Sequence, residues 1–380
     1  ELEAMHTPGH TPEHLSFLVT DHPSGAGPWG VLTGDFVFVG DVGRPDLLER
    51  AAGYAGTMEA SARALHRSLE RFRMLPDHLQ VWPGHGAGSA CGKALGAVPS
   101  TTVGYEKRAN WALAPMDEAE FVRMVLAGQP EPPRYFAQMK RITKEGPRAL
   151  GGVPRPTRLP AKALHELLDG GQVVVDTRAA AEYAAGHAPG TLNIPLGDSF
   201  TTWAGWLLPY DRDIHLLVAA GCAHCLDEAV RDLAMIGLDR VAGVVGADAV
   251  ESWTDAGNAL ETVRQVTPEE VARLVARREA VVVDVRGRAE WEEGHVPGAA
   301  NVPLGYLADR LDELPTDRLV VLQCRSGSRS AIAASVLETH RRANVANLIG
   351  GWVAWQRAGL LAERANAEQR EPGATALATV

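Results

Sequence analysis

The residues with the strongest chemical character lie in one short loop. It reads Cys324-Arg325-Ser326-Gly327-Ser328-Arg329-Ser330, between the apolar run Leu319–Gln323 and the apolar-rich run Ala331–Leu337. This pattern predicts a buried strand, a short loop and a helix. Such a loop directs several backbone N–H groups and the positive end of the helix dipole towards one point. Together with the charge of two arginines, these groups are expected to keep Cys324 ionised, which makes it a nucleophile.

The same loop is expected to bind an anionic substrate, because its backbone N–H groups surround one point. The predicted substrate-binding residues are Arg325, Ser326, Gly327, Ser328 and Arg329. The alternative interpretation is a buried, unreactive cysteine at a strand-to-helix turn.

A second group of residues has side chains that bind metals. Its members stand beside Gly or Pro at the ends of predicted strands, and they are His10, Asp35 and His85. Imidazole and carboxylate groups in this arrangement are suited to converge on one cation. Each residue alone also fits a turn or loop role. Cys91 lies six residues after His85 in a loop of small residues, either beside the same pocket, with Lys93 lowering the pKa of its thiol, or as packing.

Composition limits the possible functions. A length of 380 residues suggests two to three domains, and a formal net charge of −10 argues against a general nucleic-acid or membrane-surface role. No apolar run reaches the roughly 18 residues of a membrane span, and no signal peptide is evident. Four scattered cysteines indicate a reducing, cytoplasmic location. The sequence begins at Glu1 without an initiator Met, which suggests a fragment.

An internal repeat organises the second half of the chain. Val173–Arg178 matches Val281–Arg286, and Gly186–Leu196 matches Gly294–Leu304, with the same spacing of 108 residues. Each copy alternates helices with β-branched strands, which predicts a parallel sheet with helices on both faces. The predicted divisions are a first domain at 1–115, a helical appendage and linker at 116–155, repeat domains at 156–262 and 263–365, and a disordered tail at 366–380.

The repeated half resembles the rhodanese family. The resemblance is carried by Val-Asp-Val-Arg ending at Arg286, Glu290 with Gly294–Ala299, the Cys324 loop, and Gly350-Gly351-Trp352. It implies that Cys324 accepts a sulfane sulfur as a persulfide and passes it to a nucleophile. The expected small-molecule partners are a persulfide, thiosulfate or sulfite, and no cofactor is needed at this site. Asp284, Arg286 and His295 are expected to be structural.

The first copy departs from this pattern at its loop. A gapless alignment places Gly221 at the Cys324 position, and the loop lacks both arginines. Asp227 and Glu228 would repel an anion at the helix start. The pair Cys222 and Cys225 is a weak signal for redox or metal chemistry. We therefore expect an inactive copy that serves spacing or docking.

The first domain resembles the second half of the metallo-β-lactamase fold, through Thr-Pro-Gly-His10, Thr-Gly-Asp35 and Pro-Gly-His85. Within that superfamily it is similar to the persulfide dioxygenases, since Gly40–Leu47 follows Asp35. The resemblance implies iron(II), Fe(2+), with His10 and Asp35 as two of its ligands and His85 at the second-metal position of the hydrolase members. The family's upstream His-x-His-x-Asp-His motif does not occur in this sequence, so the iron site is expected to be incomplete.

The expected fold is therefore α/β, with a truncated metallo-β-lactamase αββα half-domain followed by two rhodanese-like doubly wound parallel-sheet domains. The leading hypothesis is a sulfurtransferase acting through Cys324, in a fusion with a persulfide dioxygenase of sulfide oxidation. The alternatives are a binuclear Zn(2+) hydrolase of the glyoxalase II type, and a rhodanese pair that only binds a partner protein. The sulfur acceptor, the direction of sulfur flow and the formation of a homo-oligomer are left open.

Overall fold

The computed structural model describes residues 1–364 except for a few positions. The residues outside this description are Ala26, Ala52, Ala87, Gly88, Ala90, Lys93, Ala94, Leu95, Pro130, Glu131, Ala223 and 365–380. The predicted tail at 366–380 and the predicted influence of Lys93 on Cys91 lie outside the described residues. The chain divides into two compact units, Glu1–Lys140 and Arg141–Val380; the finer boundaries drawn from the sequence stay predictions. Across the described helices, none has the length and apolar character needed to span a bilayer.

The first unit is built on a mixed five-stranded sheet. Its elements are β1 (Leu2–His6), β2 (Leu15–Val19), β3 (Gly30–Gly34), α1 (Leu47–Arg50), α2 (Met58–Arg73), β4 (Gln80–Pro83), β5 (Thr101–Thr102), α3 (Val103–Ala109), a 3-10 helix at Trp111–Leu113 and α4 (Glu118–Leu126). Helix α5 (Tyr135–Glu145) crosses the boundary between the units. The strand order is β1-β2-β3-β4-β5, with β3 and β4 parallel and the other neighbours antiparallel. Asp35 follows β3 and His85 follows β4, and the ends of these two parallel strands lie at the same edge of the sheet. His10, between β1 and β2, reaches the same edge.

Helices α2 and α4 cover this sheet with apolar stripes. In α2 the buried residues Leu65, Leu69 and Phe72 recur at helical spacing and share a core with strand residues. Helix α4 begins where the sequence predicts, because the Asp117 side chain accepts a hydrogen bond from the Glu120 backbone N–H.

The second unit contains two sheets of identical topology. The first copy contains β6 (Thr157–Arg158), α6 (Ala163–Asp169), β7 (Val173–Asp176), α7 (Ala180–Ala185), β8 (Leu192–Asn193), α8 (Phe200–Leu207), β9 (Ile214–Val218), α9 (Cys225–Met235), β10 (Val241–Gly246) and α10 (Asp248–Asp255). The second copy contains β11 (Arg264–Val266), α11 (Pro268–Ala276), β12 (Ala280–Asp284), α12 (Arg288–Glu293), β13 (Ala300–Asn301), 3-10 helices at Leu304–Asp309 and Leu311–Glu313, β14 (Leu319–Gln323), α13 (Ser328–Thr339), β15 (Val345–Leu348) and α14 (Gly351–Arg357).

The strand orders are β6-β10-β9-β7-β8 and β11-β15-β14-β12-β13, and every pairing within these two sheets is parallel. The prediction of two doubly wound parallel-sheet domains from the repeat is therefore confirmed. Valine-rich β7 and β12 lie inside their sheets and are mostly buried, as strands of a parallel sheet covered on both faces should be.

The repeated polar residues brace each sheet. Asp176 and Asp284 end their strands and form buried ion pairs, 2.6 Å long, with Arg178 and Arg286 two residues later. His295 stacks on Trp291 with ring centroids 3.9 Å apart, and the corresponding histidine of the first copy stacks in the same way on a tyrosine. These contacts agree with the structural roles expected for Asp284, Arg286 and His295.

Helix α13, which follows Cys324, is enclosed by both copies. Its residues Ile332–Leu337 are all buried, and its core cluster includes Tyr183 of the first copy. The backbone N–H of Asn193 donates a 3.1 Å hydrogen bond to the hydroxyl oxygen of Ser335, and both residues are fully buried. The first copy thus covers the face of α13 that points away from its own sheet, which is why Ile332–Leu337 are buried on every side of the helix.

The contact between copies predicts a stability effect at Gly305. A Cβ at this position would overlap the ring of Trp206, so Gly305→Ala should lower the free energy of unfolding of the second unit by about 1–3 kcal/mol through overpacking. Urea titration followed by tryptophan fluorescence measures the change. Gly27→Ala is the control, because Gly27 is exposed with open space around its Cα. Equal stability of both variants would contradict the packing described.

Candidate functional site

Cys324 lies at the turn between β14 and α13, as predicted. Its side chain is almost fully buried, with 1% of the residue exposed. The Sγ atom accepts a hydrogen bond from the Gly327 backbone N–H at 3.1 Å and one from the Ser330 hydroxyl at 3.4 Å. Gly327 has a φ of +101°, a left-handed conformation that lets the backbone fold back over the sulfur. These donors stabilise a negatively charged sulfur more than a neutral one.

The N-terminus of α14 holds the loop from the other side. The backbone N–H of Trp352 donates to the Cys324 carbonyl oxygen at 2.7 Å, and that of Val353 donates to the Arg325 carbonyl at 3.0 Å. Gly351 has a φ of +55°, and a Cβ there would overlap the Cys324 carbonyl oxygen. Glycine at this position is therefore required for the helix to approach the loop. Sequence reasoning noted the glycine pair only as part of a motif and missed this role.

The remaining loop groups face outward. Arg325, Ser326 and Ser328 are exposed. Within the described part of the chain, no acceptor is recorded for the backbone N–H groups of Arg325 and Ser326, and no acidic side chain pairs with the Arg325 guanidinium. The loop thus offers backbone donors and one uncompensated positive charge to an incoming anion.

Arg329 also forms an ion pair within the protein. Its guanidinium donates two hydrogen bonds to the Glu290 carboxylate, at 2.6 and 2.8 Å. Burial acts to raise the pKa of Glu290, but the hydrogen bonds and charge of Arg329 outweigh burial, so this pKa lies below its usual value. The ion pair holds the loop beside α12, and the predicted substrate-binding role of Arg329 stays a prediction. The sequence did not reveal this pair, because it depends on the parallel pairing of β12 with β14, which places the segments that follow them side by side.

The loop of the first copy has a different length and chemistry. Six residues separate Val218 from Cys225, whereas four separate Gln323 from Ser328. Counting back from the helix places Gly221 at the Cys324 position, but the strand ends show that the first copy carries two extra residues. The gapless alignment was therefore wrong as a description of the loop. Cys222 and Cys225 are joined by a disulfide.

The predicted metal ligands of the first unit come together. The Nε2 atom of His10 lies 3.7 Å from Asp35 Oδ2, and Nε2 of His85 lies 3.0 Å from Asp35 Oδ1. Ligand atoms of Asp35, His85 and Cys91 all lie within 4.8 Å of one another. Cys91 therefore borders this cluster, as one of its two interpretations proposed.

The electrostatics of the cluster fit a cation. Asp35 Oδ1 is buried and faces His85 Nε2 at 3.0 Å, in a contact whose angle falls short of a well-formed hydrogen bond. The contact with Asp35, followed by a smaller effect of Cys91, raises the pKa of His85 to about 10. The cluster therefore carries one positive charge, on the protonated His85 ring. Burial lowers the pKa of His10, which favours the neutral imidazole that binds metals. The Nδ1 atom of His10 faces the Arg44 carbonyl oxygen at 3.1 Å, which leaves Nε2 towards Asp35.

Two residues that support the cluster were missed from the sequence. The backbone N–H of Asp35 donates to His14 Nε2 at 3.1 Å, and the other ring nitrogen of His14 contacts the Thr7 hydroxyl at 2.8 Å. Gly43 packs against the Asp35 backbone so closely that a Cβ would overlap its carbonyl oxygen. His14 stands in the same loop as His10, but its role depends on a contact with Asp35, 21 residues later in the sequence.

Comparison with known proteins identifies the second unit. A family model described as a rhodanese-like domain matches residues 160–247 and 267–358. A sulfurtransferase from Allochromatium vinosum is 38% identical over 99 residues, which are 26% of this chain and 92% of that protein. The chain belongs to the rhodanese family. The thiosulfate sulfurtransferase GlpE of Pseudomonas fluorescens is 33% identical over 89 residues, covering 23% of this chain and 82% of that protein.

A solved structure extends the comparison to the first unit. The crystal structure of a metallo-β-lactamase from Staphylococcus aureus is 41% identical, with a TM-score of 0.55, over 64% of this chain and 66% of that chain. The match covers just under two thirds of that protein. The N-terminal region has a metallo-β-lactamase-like fold, and it is joined to two rhodanese-like domains.

The ion pair beside the rhodanese loop predicts a pH effect on stability. Because the pKa of Glu290 is lower in the folded state than in the unfolded chain, its ionised carboxylate stabilises the fold. This stabilisation is complete above the unfolded pKa of about 4.3 and is lost as the pH falls through the folded pKa. In Glu290→Gln, the free energy of unfolding should therefore fall less steeply along its acid limb, as the pH is lowered from about 7 to 3.

Glu182→Gln is the matched control, since Glu182 occupies the equivalent position of the first rhodanese copy and is exposed. It should leave the acid limb unchanged. Parallel acid limbs in wild type and Glu290→Gln would show that the pair does not stabilise the loop.

Proposed function

We propose that this chain is a rhodanese sulfurtransferase that carries sulfane sulfur on Cys324. The observation that supports this most directly is the environment of Sγ, which accepts hydrogen bonds from the Gly327 N–H and the Ser330 hydroxyl at the start of α13. A sulfur held by donors at the positive end of a helix dipole is activated as a thiolate nucleophile.

The first step forms a persulfide. The Cys324 thiolate attacks the outer sulfur of thiosulfate, the S–S bond of thiosulfate breaks, and sulfite leaves with the bonding electron pair. A low-molecular-weight persulfide reacts in the same way, with a thiolate as the leaving group. The exposed Arg325 guanidinium and the N–H groups of Arg325 and Ser326 would bind the anionic donor and the new outer sulfur.

The second step returns the enzyme to its starting state. A nucleophile attacks the outer sulfur of the Cys324 persulfide, and Cys324 leaves as the thiolate with the electron pair of the broken S–S bond. Sulfite as the acceptor gives thiosulfate, and cyanide as the acceptor gives thiocyanate. The near-complete burial of Cys324 would protect the persulfide from bulk water and unrelated thiols between the two steps.

The first unit is proposed to be the metal-dependent partner of this sulfurtransferase. His10 and Asp35 would bind iron(II), with His85 and Cys91 beside them. In a domain that also carries the family's His-x-His-x-Asp-His motif, which this sequence lacks, bound iron(II) would supply a centre at which O₂ oxidises a persulfide. Such a domain joined to the rhodanese copies would make a persulfide dioxygenase–rhodanese fusion of sulfide oxidation. The residues themselves would orient the ligand set, through His14 on the Asp35 backbone and the Arg44 carbonyl on His10.

The sulfurtransferase proposal predicts that activity depends on the sulfur atom of Cys324. Cys324→Ser should abolish thiosulfate-to-cyanide sulfur transfer, because a serine hydroxyl is not ionised near neutral pH and cannot carry a persulfide. Thiocyanate formation measures the activity. Cys222→Ser is the control in the first copy and should retain wild-type turnover. Retained turnover in Cys324→Ser would refute the assignment.

The metal proposal predicts a loss of bound metal. His10→Ala and Asp35→Ala should each lower the affinity for Fe(2+) by at least about tenfold, measured by elemental analysis after anaerobic equilibration. His22→Ala is the control, because His22 lies at the surface beside Glu1. Equal metal retention in all variants would contradict the site. Two equivalents of Zn(2+), with no binding of iron, would favour a binuclear hydrolase.

A further inference from the structure

The loop of the first rhodanese copy contains a cysteine pair that the sulfurtransferase does not use. Cys222 and Cys225 are bonded to each other, and both are only partly buried. Cys222 lies between β9 and α9 and Cys225 is the first residue of α9, at the same strand-to-helix turn that carries Cys324 in the second copy. The first copy thus carries two cysteines at this turn, where the second copy carries one.

The surroundings of the pair favour thiol–disulfide exchange. Cys225 is the first residue of the 11-residue helix α9, so its sulfur lies at the positive end of the helix dipole, which stabilises a thiolate. The ring nitrogens of His224 lie 3.7 and 3.8 Å from Cys222 Sγ, close enough to accept the thiol proton. Both sulfurs can therefore be activated by groups within the same loop.

The charge of the loop sets it apart from the Cys324 site. It has no arginine, and Asp227 and Glu228 stand in the first turn of α9. The Glu228 carboxylate also lies 3.8 Å from the His224 ring, which adds negative charge beside the cysteine pair. A dianion such as thiosulfate is disfavoured at this position, whereas a persulfide carries at most one charge on its reacting group.

We propose that Cys222 and Cys225 form a redox site that reduces the sulfane sulfur of low-molecular-weight persulfides to hydrogen sulfide. The Cys222 thiolate attacks the outer sulfur of the persulfide R–S–SH, the S–S bond breaks, and the thiol R–SH leaves. The Cys225 thiolate then attacks Sγ of the Cys222 persulfide and releases the outer sulfur as hydrogen sulfide. In sum, the dithiol and R–S–SH give the disulfide, R–SH and H₂S.

The electrons balance in this sequence. The two cysteines lose two electrons in forming their disulfide, and the sulfane sulfur gains them. A second turnover requires an external dithiol reductant, which exchanges with the Cys222–Cys225 disulfide. The site does not depend on sulfur transfer at Cys324, because each reaction uses only its own loop.

The test uses the full chain with Cys91→Ser and Cys324→Ser, which leaves the pair as the remaining cysteines. The protein is reduced with a phosphine, freed of reductant, and treated anaerobically with cysteine persulfide. The proposal predicts hydrogen sulfide in equal amount to the chain, together with loss of both alkylatable thiols. Peptide mass spectrometry of the wild-type chain, treated in the same way, should show the Cys222–Cys225 disulfide even if the double variant is poorly folded.

Two further variants in the same background separate the steps. Cys225→Ser should retain an added sulfur on Cys222 and release no hydrogen sulfide above a chain lacking all four cysteines. His224→Ala should slow hydrogen sulfide release by about 10²-fold, the low end of the contribution of a positioned acid–base group. His165→Ala, at an exposed histidine of the same copy, should change nothing.

The proposal fails if hydrogen sulfide release equals that of the cysteine-free chain or if both thiols stay alkylatable. It also fails if the reduced loop retains one Zn(2+) that blocks the reaction, which would make Cys222, His224 and Cys225 a metal site instead. Failure of thiosulfate-to-cyanide transfer in the wild type would affect Cys324 alone and leave this result unchanged.

Discussion

The hydrogen bond from the Trp352 N–H to the Cys324 carbonyl oxygen fixes the geometry on which the sulfur site depends. It ties the loop after β14 to the start of α14, and it forms only because Gly351 adopts a left-handed conformation without a Cβ. With the carbonyl held in this way, Gly327 can turn its N–H back onto Sγ. The thiol is therefore positioned by backbone groups at two helix starts, and these groups need no rearrangement when charge develops on sulfur.

The need to hold the Cys324 loop in place also gives the first rhodanese copy a structural role, and this role does not require the loop arginines. Helix α13 starts at the sulfur site and is buried from Ile332 to Leu337, with one side against its own sheet and the other against the first copy. The buried contact of Ser335 with Asn193 and the 3.3 Å approach of His187 to Glu338 join the copies along this helix. The first copy thus holds the helix that positions Cys324, and its own loop is free to carry different chemistry.

The sequence allowed the repeat, both parallel sheets and the turn carrying Cys324 to be predicted, because buried valine runs and a fixed spacing are local signals. The pairing of Arg329 with Glu290 was not predictable in the same way, since it joins residues 39 positions apart whose proximity depends on strand order. The two extra residues before Cys225 escaped notice because spacing within a loop does not affect hydrophobic periodicity. The convergence of His10, Asp35 and His85 was anticipated from strand ends, whereas the support from His14 required the fold.

The central claim is that Cys324 carries the transferred sulfur, and its most direct test is intact-protein and peptide mass spectrometry after exposure to thiosulfate. The account predicts one added sulfur atom on the peptide containing Cys324, removed by cyanide and absent from Cys324→Ser. An added sulfur found only on Cys91 or Cys222, or none on any cysteine while thiocyanate is still produced, would contradict it.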